Sequence, residues 1–164
     1  MRNVIPARPR IVVGVDGSPA SVTALAWAAR EARLRRAELD AVYAWENPEQ
    51  YRAPYAERRG LPSPEEDRAA AAARLARSVR AAFGQAPPPG LRTEVAEGRP
   101  ERVLPDRAVG AELLVLGSAP RPGNFPDAMG PVHRTCLHRV PCPVVIVGHV
   151  TEPVTGQQDL RQSA

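Results

Sequence analysis

A chain of 164 residues with 43% apolar side chains is enough for one domain with a proper core, is too short for two comfortable ones, and excludes wholesale disorder. All 22 basic residues are arginine, scattered among carboxylates at a net charge of +4, and aromatics make up 4%, so a clustered basic face with stacking platforms for nucleic acid is not expected. Two cysteines cannot build a disulfide framework, residues 1–10 are polar and basic, and no apolar run approaches the roughly 20 residues of a membrane span; the expectation is a cytoplasmic protein with reduced thiols and no membrane partner.

In chain order, Arg10 to Val15 is a continuous apolar run, as in a strand covered on both faces. Asp16-Gly17-Ser18-Pro19 marks a turn, with Ser18 as N-cap and Pro19 in the first helical position. A helix over 20–36 follows, with Val22, Leu25, Ala26, Ala29 and Ala32 predicted as its apolar stripe. Leu39 to Trp45 reads as the second strand. Residues 46–63 form a long connection containing Tyr51, Tyr55, Arg52, Arg58 and Arg59, which could be a lid, a partner-binding patch or a mobile loop.

Pro64-Glu-Glu-Asp opens a second helix with negative charge in its first turn and runs to about Phe83. Pro87-Pro-Pro-Gly90 interrupts the chain before a third strand, Leu91 to Ala96. A short helix over 101–109 is expected to carry Pro105 in its first turns. Leu113 to Leu116 is the fourth strand, Pro131 to Arg139 the fourth helix, and Val144 to Val147 the fifth strand. Residues 1–9 and 150–164 read as tails around one domain, 10–149, the latter without periodicity.

Five strands separated by helices imply an α/β fold, a three-layer sandwich around a five-stranded parallel sheet with right-handed crossovers. In such a sheet ligands sit at the carboxyl ends of the strands where the winding reverses. If the strand order is 3-2-1-4-5, the reversal falls between the first and fourth strands. The loops Asp16–Pro19 and Gly117–Gly130 then share one crevice, and a strand, a glycine loop and a helix start make an anion pocket from backbone N–H groups.

The chain resembles the universal stress protein family over about residues 10–148. The resemblance rests on Ile11-Val-Val-Gly-Val-Asp-Gly-Ser18, Ala26-Trp-Ala-Ala29, Ala44-Trp45-Glu46, Glu97-Gly98-Arg99-Pro100, Leu114-Val-Leu-Gly-Ser118 and Pro141-Cys-Pro-Val-Val145. It implies a Rossmann-like fold of the adenine nucleotide alpha hydrolase type, a stress-response role, and binding rather than catalysis, so no catalytic residue is assigned. ATP or AMP is the implied ligand, with magnesium entering only together with nucleotide.

Nucleotide-binding members carry a glycine, two residues, a glycine, nine residues, and a glycine followed by Ser or Thr. The matching frame here is Gly117, Pro120, Gly130 and Pro131: the spacing and the outer glycines are kept, while two potential donors are prolines. Proline has no N–H and a fixed φ, so phosphate recognition is expected to be weakened while the helix start tolerates Pro131. By analogy Asp16 faces the ribose and Ala44 the adenine. Gly117, Ser118, Gly130 and Val132 keep their backbone donors, and Arg121 offers a guanidinium or is a solvated loop residue. Asp16 has a second reading, a carboxylate ordering its own turn.

The resemblance also implies a homodimer through the Val144–Val147 edge strand. The alternative function is a dimeric interaction protein of the same fold that binds no nucleotide.

Other chemistry is not expected. Without lysine there is no Walker-type phosphate loop. His133, Cys136, His138 and Cys142 have a spacing unlike standard zinc sites, and they read as a small buried thiol beside exposed helix histidines, with no metal.

Overall fold

The computed structural model describes residues 8–47, 62–118 and 129–148. Expectations for the tails, for Tyr51 and Tyr55, and for Pro120 and Arg121 therefore lie outside the described residues. Strands and helices alternate as β1 (Arg10–Gly14), α1 (Pro19–Arg35), β2 (Glu38–Trp45), α2 (Pro64–Phe83), β3 (Leu91–Glu97), α3 (Pro100–Arg107), β4 (Leu113–Ser118), α4 (Pro131–Arg139) and β5 (Val144–Gly148). The sheet order is β3-β2-β1-β4-β5 and every pairing is parallel, which is the expected three-layer sandwich.

Residue period two in the strands creates two cores. On one face Ile11, Val13, Leu39, Ala41 and Val115 meet Leu25 and Ala28 of α1 and Leu75 of α2. On the other, Val12, Val42, Leu114 and Leu116 meet Val103 and Leu104 of α3 and Cys136 of α4. Because helices cover both faces, the central strands need apolar residues at successive positions, and that explains their unbroken runs. Each fully buried Leu, Ile or Val contributes about 1.5–3 kcal/mol by leaving water.

The helix starts follow their capping residues. Ser18 accepts from the Ser21 N–H at 3.2 Å, with Pro19 in the first turn. Ser63 and Glu66 form a reciprocal capping box before α2, at 3.1 and 2.6 Å.

One expectation changes, and one residue gains a role. The buried side of α1 is Ala20, Ser21, Ala24, Leu25, Ala28 and Ala32, whereas Val22, Ala26 and Ala29 are only half-buried. The first half of this helix is apolar nearly all round, so periodicity leaves its rotation open, and close approach to the sheet selects the smallest residues. Pro105, the sixth residue of α3, falls in its second turn, within the expected first turns, and it is buried. A helix this short loses only one internal hydrogen bond to the proline, and the ring packs in the core instead.

The two sheet edges differ. β3 presents Arg92, Thr93 and Glu94, all exposed; Arg92 reaches Asp40 at 2.7 Å and Arg107 reaches Glu94 at 2.6 Å. β5 presents Val144, Val145, Ile146 and Val147, each half-buried and uncharged. Charge at an edge discourages further strand addition, and only β3 carries it.

Candidate functional site

The carboxyl ends of β1, β2 and β4 converge with the first turns of α1 and α4 and with α3 around a cleft of ≈ 260 Å³. Its apolar end is formed by Val42, Ala44, Pro100 and Leu104. Its polar end is formed by Asp16, Ser21, Gly117, Gly130 and His133. Gly14 lies between them, tight against the leucines: a Cβ there would approach the Leu116 side chain to 2.9 Å and that of Leu104 to 3.0 Å.

The Asp16 turn is locally ordered. The Ser18 N–H donates to Asp16 Oδ1 at 2.9 Å, and Gly17 takes φ +87°, a left-handed conformation that glycine adopts without strain. Ser21 is buried and its hydroxyl donates to the Ser18 carbonyl at 2.8 Å. Partial burial pushes the Asp16 carboxyl up, but hydrogen bonds from the side chain and backbone of Ser18, then from Ser21, outweigh it and hold the pKa below the ordinary value. The turn thus gains stability above the ordinary carboxylate range, and loses it as pH falls through the lowered pKa.

Gly117 is the penultimate residue of β4, where the strand touches α1. A Cβ added there would collide with the Ala20 backbone and lie 2.7 Å from the Ser21 nitrogen. This glycine is required by packing, independently of any ligand.

Across the cleft, α4 starts at Gly130 with no side-chain cap and with Pro131 in its first turn. The first-turn N–H groups of a helix have no partner within it, and the helix dipole adds positive character there. Val132 therefore brings a backbone donor to the cleft lining.

His133 was expected as an exposed histidine; it is instead half-buried, lines the cleft, and places Nε2 2.9 Å from the Gly117 carbonyl. A carbonyl only accepts, so Nε2 carries the proton in this bond. The contact ties the two ends of the Gly117–Gly130 loop together.

Of the sequence-derived site residues, Asp16, Ala44, Gly117, Gly130 and Val132 are brought together. Ser118, the last residue of β4, is not in the lining; it pairs in register with Gly148 of β5. Arg121 lies outside the described residues. Ser21, Pro100, Leu104 and His133 were not anticipated. His133 alone had a readable signal, since it lies in the first turn of α4, just after Gly130 and Pro131 of the motif frame.

Among the described residues, no group of three His, Cys, Asp or Glu side chains is arranged to hold a metal ion. Burial, and then the nearby Glu101 charge, push the Cys136 thiol up to about 11, and burial raises Cys142 as well. At neutral pH both stay as thiols, the non-nucleophilic form. No helix among the described residues is long and apolar enough to cross a membrane.

The model of the "Universal stress protein family" matches residues 8–148. A universal stress protein of Mycobacterium tuberculosis is 33% identical over 143 residues, covering 86% of this chain and 46% of the relative. The chain thus spans about half the length of the curated relatives it matches. Among solved structures, universal stress protein UspA from Lactobacillus plantarum superposes with a TM-score of 0.60 at 22% identity, covering 86% of this chain and 99% of the other. A universal stress protein in complex with cAMP superposes at 0.55 with 24% identity, covering 86% and 97%. With the expected sheet order, the cleft at its reversal point and a family match over every described strand and helix, this chain belongs to the universal stress protein family.

Proposed function

We propose that this chain is a stress-response binding module for adenine nucleotides in which phosphate recognition is weakened, so that AMP is preferred over ATP. The observation that carries this reading is the composition of the cleft. An apolar end at Ala44, Val42, Pro100 and Leu104 suits a base, and a polar end with the uncapped start of α4 suits a phosphate. In this reading Asp16 accepts from a ribose hydroxyl, Ala44 lies against the adenine, and the backbones at Gly117, Gly130 and Val132 face the phosphate. Ser118 and Arg121 act at the outer phosphates, with Mg²⁺ present only alongside them. The cAMP complex of a protein of this fold is compatible with such a ligand class.

Calorimetric titration with AMP, ADP and ATP, each with and without magnesium, tests the reading. Micromolar affinity for AMP with ATP at least tenfold weaker is the expected result. No heat at millimolar nucleotide would retire it, and the protein would then be a dimeric interaction module of the same fold.

Homodimerisation through β5 is part of both readings and is supported by the contrast between its uncharged edge and the charged edge at β3. Val145→Arg is expected to convert a sedimenting dimer into monomer at micromolar concentration; a wild-type monomer at millimolar concentration would remove the dimer from the proposal. The function is assigned to the cytoplasm, where both thiols remain reduced.

A further inference from the structure

A second cavity, of ≈ 820 Å³, runs along α1 on the opposite side of the sheet from α3 and α4. Its apolar wall includes Trp27, Leu39, Phe83 and Val147. Three charged side chains line it, and all are arginines of one helix and its cap: Arg30, Arg33 and Arg36.

These three arginines share one wall and, unlike Arg35 beside them, face no carboxylate. Arg35 on the same helix is paired with Glu31 at 2.7 Å and Glu112 at 3.8 Å; Arg10, Arg92 and Arg107 likewise have carboxylate partners. Arg30, Arg33 and Arg36 have no ion pair among the described residues, and no carboxylate lines the cavity. Offsetting the negative end of the helix dipole accounts for a basic residue or two in the last turn, as with Arg33 and Arg35. It does not account for Arg30, which lies further from the end.

Arg36 adds an independent observation. It caps α1 in the left-handed region, φ 55° and ψ 35°, the only described non-glycine residue with positive φ. Helices commonly end in this conformation with glycine, because a side chain there is strained. A strained residue kept at the rim of a cavity points to a use for its side chain.

We propose that this cavity binds an amphipathic carboxylate: an alkyl chain lies along the Trp27–Phe83 wall, and the carboxylate is held by the unpaired guanidinium groups. A guanidinium presents parallel N–H donors that match the two carboxylate oxygens. The volume falls within the range of about 300–1,000 Å³ that encloses small ligands. The site is separate from the nucleotide cleft and does not depend on its occupancy.

Titration of the full chain with laurate below its micelle concentration, followed by Trp27 fluorescence, tests the proposal, with dodecanol as the uncharged probe of equal length and Trp27→Phe as the optical control. Laurate is expected to saturate at one per chain and dodecanol to bind at least tenfold more weakly. Arg33 is exposed and unpaired, so Arg33→Glu leaves the core intact; it is expected to weaken laurate at least tenfold without changing dodecanol.

Arg36→Gly separates structure from binding. It should raise the melting temperature by about 2–4 °C by relieving the left-handed strain, and still weaken laurate. Saturating AMP should not displace laurate. Equal affinity for laurate and dodecanol, or arginine variants that bind laurate as well as wild type, would overturn the proposal. So would laurate affinity that falls as protein concentration rises, since a second copy would then be the occupant.

Discussion

Gly117→Ala is expected to destabilise the chain by about 3 kcal/mol, at the upper end of what overpacking costs. The reason is the identity of the atoms a methyl group would meet. They are backbone atoms of Ala20 and Ser21, in the first turn of α1, and neither can rotate away. Relief requires α1 to lift from β4, and α1 also carries Leu25 and Ala28, both fully buried against the sheet.

Gly14→Ala supplies the contrast. Its methyl would press on the side chains of Leu116 and Leu104, which can repack, so the cost should be smaller. At roughly 2–4 °C per kcal/mol for a chain of this size, Gly117→Ala should lower the melting temperature by about 6–12 °C. Thermal and urea unfolding of the two variants check this. A loss under about 1 kcal/mol for Gly117→Ala would mean that the strand–helix contact is loose and that the glycine is kept for another reason.

The second large effect concerns ligand selectivity. Pro120→Gly combined with Pro131→Ser is expected to raise ATP affinity tenfold or more. Each replacement returns a backbone N–H, and serine adds a hydroxyl at the first turn of α4. A hydrogen bond to a charged group is worth about 1.5–3 kcal/mol, and about 1.4 kcal/mol is tenfold in affinity. Proline suits the first turn of a helix, so Pro131→Ser should change α4 itself little. AMP should gain less than ATP, because its single phosphate needs fewer donors. Calorimetry on both ligands reads the result. Unchanged ATP affinity would show that the prolines are bystanders and that something else limits the cleft.

Much of the architecture was legible in the chain itself. The unbroken apolar runs at Ile11–Val13 and Leu113–Leu116 mark central strands covered on both faces. Ser18-Pro19 and Pro64-Glu-Glu-Asp mark helix starts, because first-turn signals act within three residues; the Ser63 cap of the second came only with the structure. The strand order, once drawn, brings Asp16 and the Gly117–Gly130 segment to one crevice. The rotation of α1 was not legible, since a helix apolar on several sides offers no preferred face. Nor was the burial of Pro105, which depends on how α3 sits on the sheet.

The site divides along the same line. Asp16 orders its own turn through a bond two residues away, and that reading follows from Asp-Gly-Ser alone. His133 meets the carbonyl of Gly117, 16 residues earlier, and Ser21, Pro100 and Leu104 reach the cleft from separate elements. The elements, their order and the family frame with its two prolines depend on local propensity, hydrophobic period and spacing, and were readable along the chain. Which face of α1 is buried, that the Ala20 backbone demands Gly117, that His133 ties the loop ends, and that Arg30, Arg33 and Arg36 border an apolar cavity came from packing. Each of these is a contact between segments distant in the chain, and their distances are set by packing.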